Sequence, residues 1–516
     1  MKSAAYIVLL LCICTVDALS QQPRVFSLDA RPTFDSAPYS NVINDIKISG
    51  DSIWVGTHKG LDLTTTNGDA WRHFAETDGI KELAVSALAY FNGALWVAET
   101  SNLRQDGSDV PVGEGFFYST DGGQNWAHIP QPKEPEGATI DTLLYGTNKI
   151  RTLAVTVTPG NITYDIALTR NAVWTANFYG MLRKSTNHGQ TWQRVVLPPD
   201  NLNSISPNDT LNFDLSPSIG DLGLRESLNH RLFSVYASDD STIWAGTAGG
   251  INKSTDGGVS WRKFSHQNQQ QPISGNFVVG LNEQQWNGRR ILWAATVNAV
   301  DLDEKRGLSF SEDGGETWKT TLLGEFVHNI AFKDSIVYAT SDNGLFRSSN
   351  FGKSWLRTGT IDDPTNQQRI TSSRVTTAAT KGDTVWTGWV DGLAYTIDSP
   401  SEAFGTRWKV FRTSQQVENS SATYSYPSPF SPDDEVVRLH YSTSGRNAPV
   451  TIRIFNFAMQ PVKTLIQNAQ RLGSYEHDEI WDGRDDFNNR IANGVYFYQV
   501  EVEGLEPAWG KIYVVE

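Results

Sequence analysis

Carboxylates are the side chains of this sequence best suited to chemistry. Two carboxyl groups held about 6.5–9.5 Å apart can hydrolyse a glycosidic bond with inversion, one as acid and one as base. Asp106, Asp109, Asp301, Asp303 and Glu304 stand in stretches long enough to be loops and are the candidates. Spacing alone brings no two of them together, and a surface carboxylate is ordinarily just solvated. Asp482, Asp485 and Asp486 with Asn488 suit either a Ca²⁺ site or the capping of a turn. The nine His show neither His-x-x-x-His nor His-Glu-x-x-His spacing. No Gly-rich phosphate loop opens a helix, and no Ser-His-Asp set can be assembled. The sequence therefore assigns no catalytic residue, no metal site and no cofactor.

Other acidic residues serve architecture. The pattern Ser-x-Asp-x-Gly-x-x-Trp runs Ser254 to Trp261, with Asp256 at its centre, and recurs at Ser119–Trp126 with Asp121 and at Ser311–Trp318 with Asp313. Asn187 and Asn350 replace Asp in the copies ending at Trp192 and Trp355. Two worn copies keep Thr64-Gly68-Trp71 and Ser401-Gly405-Trp408, making seven. A short acidic or amide side chain accepts N–H groups of its own turn, Gly supplies a positive φ, and Trp lays an apolar ring over the hairpin. Before each box stands a strand of the form apolar-aromatic-x-small, as in Ile53-Trp54-Val55-Gly56 and Val385-Trp386-Thr387-Gly388, again seven times. Two independent counts thus agree on seven four-stranded units, which predicts an all-β chain containing a seven-bladed β-propeller.

The box Trp residues are 37 to 69 positions apart. A bare four-stranded unit needs roughly 40 residues. The excess falls in 100–115, 131–149, 198–230 and 297–306, which alternation of strand direction places on one face. That face, opposite the boxes, is the expected binding surface. The other reading is that these loops only cover sheet edges.

The chain has 516 residues, a net charge of −14 and no basic block, which argues against non-specific binding to nucleic acid or anionic lipid. Residues 1–20 read as a secretory signal: Lys2, an apolar run from Tyr6 to Val16, and the small-x-small Ala18-Leu19-Ser20. The run is too short for a transmembrane span, so none is expected in the mature chain. Cys12 and Cys14, the only cysteines, lie in this segment; a lipoprotein reading of either is the alternative to cleavage after Ser20. A secreted or outer-surface location follows as an expectation. The propeller is expected over 21–413 and a polar linker over 414–423. A small β-sandwich is expected over 424–516, with strands Val436–Tyr441, Val450–Phe455, Tyr475–Trp481, Val495–Val502 and Lys511–Val515.

The repeated box resembles the Asp-box, or BNR, repeat of sialidase-like β-propellers. The three-Arg, Tyr/Glu and Asp centre that sialidase resemblance implies is not matched: Pro23-Arg24-Val25-Phe26 and Ala30-Arg31-Pro32 do not fit its Arg-Ile-Pro motif. Similarity to xyloglucanase-like hydrolases implies two facing propellers and an Asp pair; one propeller is present. Similarity to the sortilin and photosystem-assembly types of Asp-box propeller implies a binder. Tyr426-Pro427-Ser428-Pro429-Phe430-Ser431-Pro432, Ile454-Phe455-Asn456, Trp481-Asp482-Gly483-Arg484-Asp485 and Asn493-Gly494-Val495-Tyr496 resemble the Ig-like C-terminal domain of type IX secretion cargo and of flagellar hook-capping proteins. Ser428, Ala458 and Asn493 depart from that pattern. The resemblance implies a sorting domain that engages secretion machinery. The expected function is binding of an extracellular glycan or protein, with a secreted glycoside hydrolase as the alternative.

Overall fold

The computed structural model describes residues 37–515, except 106–107, 219–221, 366–367, 371, 414–421, 433–435 and 474–476. The expected signal segment 1–20, a strand expected at Arg24–Leu28, candidate Asp106 and most of the expected linker lie outside the described residues.

Seven sheets each consist of four consecutive antiparallel strands, from Ile43–Ser49 at the start to Trp408–Phe411 at the end. The fourth sheet gains a fifth strand, Ser204–Ile205. The first strand of each sheet packs on the first strand of the next, and that of the seventh returns to Ile43–Ser49, so the sheets form a closed ring. The chain is an all-β propeller. Among the described residues no strand is shared between the ends. Closure rests instead on packing and on bonds such as Asn41 Nδ2 to Thr413 O, 3.1 Å, and Thr413 N to Asn41 Oδ1, 2.8 Å.

The aromatic positions explain why the sheets stack. Three box Trp residues meet the second-strand Trp of the preceding sheet edge-on: Trp126 on Trp54 at 6.4 Å, Trp192 on Trp96 at 6.5 Å, and Trp71 on Trp386 at 6.5 Å across the closure. Such pairs contribute about 0.5–1.5 kcal/mol each beyond burial. The box Gly makes the approach possible. At Gly123, with φ +81, an added Cβ would lie 2.9 Å from Trp54.

The seventh box is not spelled as the sequence suggests. Thr396 Oγ1, not Ser401, accepts the N–H of Gly405, from nine residues upstream instead of the usual four. A longer turn separates the two, and Thr396 keeps the place at the end of the third strand that Thr64 holds in the first sheet.

The C-terminal unit has two sheets. One contains Thr423–Tyr426, Val437–Tyr441 and His477–Trp481; the other contains Pro461–Arg471, Ala448–Phe455, Gly494–Val502 and Ala508–Val514. They enclose Phe430, Trp481, Tyr498 and Ile512. Thr423–Tyr426 and Pro461–Arg471 are strands the sequence pattern misses. The first overlaps the expected linker. The second begins with Pro at a sheet edge and carries three register shifts, which breaks its alternation.

The unit docks on the ring through buried charge. Arg412, the residue after the last ring strand, donates from Nε to Asp391 O, 2.9 Å, and its Nη1 lies 3.7 Å from Asp478 of the unit. Asp391 sits in the turn between the second and third strands of the seventh sheet, the side on which the long insertions begin.

Candidate functional site

The boxes themselves are occupied by their own turns. Asp121 Oδ1 accepts Gln124 N and Asn125 N at 3.0 Å and Ser119 Oγ at 2.8 Å. Those bonds, Asn125 first, hold its carboxyl down to about 2. Asp256 accepts Val259 N and Ser260 N, Asp313 accepts Thr317 N, Asn187 accepts Thr191 N, and Asn350 accepts Ser354 N, all between 2.9 and 3.0 Å. Trp261 and Trp318 donate to Gly258 O and Gly315 O, both at 3.1 Å, and Trp355 donates to Thr321 Oγ1 at 2.8 Å. These residues build turns and leave no polar atom poised for a ligand.

The four long stretches differ from one another. Residues 100–115 extend the second sheet as a hairpin of Ala94–Gln105 and Ser108–Ser119; there Asp109 pairs with Arg104 at 3.0 Å in solvent. In 297–306, Glu304 is buried and accepts Ala299 N, Asn276 N and Asn276 Nδ2 at 2.7–2.9 Å, while Asp301 accepts Gln267 Nε2 at 2.5 Å. Glu304 is thereby a loop clamp and is spent as an acid or base. Asp303 is exposed, and Val300 and Leu302 point into solvent.

Stretches 131–149 and 198–230 do not simply decorate the loop face. Tyr145, Ile150, Phe213 and Leu215 share a core with Val196, Ile205 and Trp261. Tyr145 Oη reaches Val259 O, 2.6 Å away, in the box of the fourth sheet. The insertions thus climb the outer edge from one face toward the other, because their alternate apolar residues need a flank to cover. His230 is fully buried, its Nδ1 accepting Ser216 N at 3.1 Å and its Nε2 3.2 Å from Leu197 O; burial pushes it down to about 4, so it is neutral and pins the loop.

The loop face has a different feature at its centre. Each innermost strand carries one β-bulge, always near its first residue. The residues skipped are Asn44, Ser86, Tyr164, Phe233, Val279, His328 and Thr376. A bulge re-aims a side chain without ending the strand. This ring is lopsided. Tyr164 lies 5.2 Å from Phe233, which lies 4.3 Å from Phe277 and 5.9 Å from Phe178, itself 4.8 Å from Tyr179. Arg231 covers the Phe178 ring at 5.5 Å. Tyr164 and Tyr179 remain 37% exposed, so the cluster presents ring surface to solvent. Across the first, second and seventh sheets the same positions are polar. Asn44 donates to Val85 O at 2.9 Å and Thr376 to Ile43 O at 2.5 Å. The sequence signal was an aromatic residue at the start of successive repeats, Thr163-Tyr164, Leu232-Phe233 and Asn276-Phe277.

The acidic cluster of the C-terminal unit caps turns. Asp485 accepts Phe487 N at 2.9 Å and Asn489 N at 2.7 Å, and Asp482 accepts Arg484 N at 3.1 Å. Among the described residues no group of three His, Cys, Asp or Glu is placed to hold a metal ion, and no helix is long and apolar enough to cross a membrane.

The model of the BNR/Asp-box repeat matches residues 117–128, which span the second box. No curated protein matches the sequence. Among solved structures, YCF48 from Cyanidioschyzon merolae is 18% identical, with 70% of this chain and 97% of that one covered and a TM-score of 0.42. YCF48 bound to D1 peptide is 15% identical, with coverages of 70% and 95% and a TM-score of 0.41. PorZ, a bacterial surface component of the type-IX secretion system of Porphyromonas gingivalis, is 13% identical, with coverages of 92% and 81% and a TM-score of 0.23. The chain is a β-propeller protein that carries the BNR/Asp-box repeat.

Proposed function

We propose that the chain is a secreted or cell-surface binding protein whose seven-bladed propeller takes an extracellular glycan or protein at the axial mouth of its loop face. The carrying observation is the one-sided ring of bulged residues. Tyr164, Tyr179, Phe178, Phe233 and Phe277 form a half-exposed aromatic wall on the third to fifth sheets, facing a polar arc on the others. A cluster of partly exposed aromatic rings with an Arg beside it is the composition of binding hot spots. The order of strands and the turn motifs of residues 424–516 support an Ig-like domain, and we assign it a role in export through contacts with secretion machinery. Against the hydrolase alternative stand Glu304 and Asp109, both engaged elsewhere. The test is a panel of glycans and immobilised proteins probed with the full chain, run beside a hydrolysis assay on β-glucans. Saturable binding without turnover is expected; turnover of a glucan would overturn the assignment.

A further inference from the structure

The insertions flanking the third sheet build a small sheet with a bare edge. Its strands are Ile140–Tyr145, Asn148–Leu153 and, parallel to the latter, Asp214–Leu215. Ala154 N bonds to Thr139 O at 3.1 Å, and Tyr145 opposes Asn148 across the two-residue turn. In an antiparallel ladder the bonded pairs alternate, so Asp141, Leu143 and Tyr145 face Asn148–Leu153 with their backbone groups. Ile140, Thr142 and Leu144 turn theirs outward. Among the described residues no strand pairs with that edge. Only the Thr142 N–H has a local partner, Asp141 Oδ1 at 2.7 Å.

The side chains along this edge are not those of a protected one. Leu144 is 75% exposed and Ile140 is exposed beside it. Natural edges are blunted by Pro, by bulges or by charges on the strand itself; here Asp141 is the one charge. Cations stand one strand away, Lys149 opposite Leu144 and Arg151 opposite Thr142. Arg151 and Arg225 share the single carboxylate of Asp214, at 2.9 and 3.3 Å. The patch is therefore locally positive on a chain whose net charge is −14.

We propose that the outer edge of Ile140–Tyr145 receives an extended polypeptide strand bearing acidic side chains. Backbone pairing to Ile140, Thr142 and Leu144 supplies affinity, and every second side chain of the added strand lies on the face of Ile140 and Leu144, where Lys149 with Arg151 selects acids. This surface is separate from the axial mouth, so the two proposals fail independently.

The test uses the full chain and two synthetic peptides of about ten residues, one alternating Val and Glu, the other Val and Lys, followed by fluorescence anisotropy. The Val/Glu peptide is expected to bind at least about tenfold more tightly. Thr142→Pro removes an outward N–H whose local partner is the Asp141 carboxylate, leaves the bonds to Asn148–Leu153 in place, and should abolish that binding. Lys149→Glu, which leaves the ladder untouched, should shrink the preference for the Val/Glu peptide. Equal affinity for the two peptides, or binding unchanged in both variants, would overturn the proposal. So would no binding up to about millimolar peptide. A dimer seen by sedimentation and dissolved by Thr142→Pro would assign the edge to a second copy of the chain instead.

Discussion

Arg438 in the C-terminal unit donates from Nε to Oδ1 of Asp391 in the seventh sheet, 3.0 Å away, and both residues are buried. A second guanidinium, Arg412, flanks the same carboxylate at 3.2 Å. Charges so enclosed couple the two bodies that hold them. Removing one partner of a buried pair costs about 3–5 kcal/mol. Arg438→Met should therefore split a single calorimetric unfolding transition into two, the lower one belonging to residues 424–516. Removal of those residues should leave the ring folded, because Arg412 retains Asp391.

The same junction should loosen in acid. Burial raises the Asp478 carboxyl, but the hydrogen bond from His440 and the charges of Arg412 and Arg438 outweigh it, leaving the group below its ordinary 3.8. A depressed folded value stabilises above the unfolded value and is lost as pH falls through the folded one. Separate transitions should thus appear below about pH 4 and be absent at pH 6; Asp478→Asn should show them at both.

Glu99 is placed to weaken the ring. In the second strands of the fourth and fifth sheets the equivalent side chain is satisfied: Thr247 bonds Asn229 at 2.7 Å and Thr296 bonds Ser274 at 2.6 Å. Glu99 is 1% exposed, and among the described residues neither of its carboxylate oxygens has a hydrogen-bond partner. Burial raises it to about 8, against the pull of Lys81 and with a push from Glu114. Because the folded form binds the proton more tightly, stability falls as pH rises from the unfolded value toward 8. Glu99→Gln should be neutral near pH 4 and stabilise by ~1–3 kcal/mol at pH 8, read from denaturant midpoints.

Asp256→Ala removes acceptors for Val259 N and Ser260 N and the partner of Ser254 Oγ at 2.7 Å. A loss of ~1–3 kcal/mol of stability is expected from those bonds. The box stands on the face opposite the mouth, so affinity for any ligand held there should not change. Lost binding with an unchanged melting temperature would contradict the structural role.

The architecture was legible because one eight-residue pattern recurs with Trp and Gly fixed by packing, as Gly123 against Trp54 illustrates. The mouth was not. Tyr164, Phe233 and Phe277 lie far apart in sequence and meet only when the ring closes. The insertions carry a burden that their length does not announce: Tyr145 and Phe213 cover a flank, while the outer edge of Ile140–Tyr145 stays open. Thr396 in place of Ser401 shows the limit of matching a worn motif when a loop has grown inside it.

The most direct measurement is binding of the full chain to glycan and protein panels, compared with Tyr164→Ala and Tyr179→Ala. Both rings are half exposed, so their removal spares the core. Signals present in the parent chain and weakened at least about tenfold in both variants are predicted. Signals that survive both substitutions unchanged would contradict an aromatic mouth as the binding site.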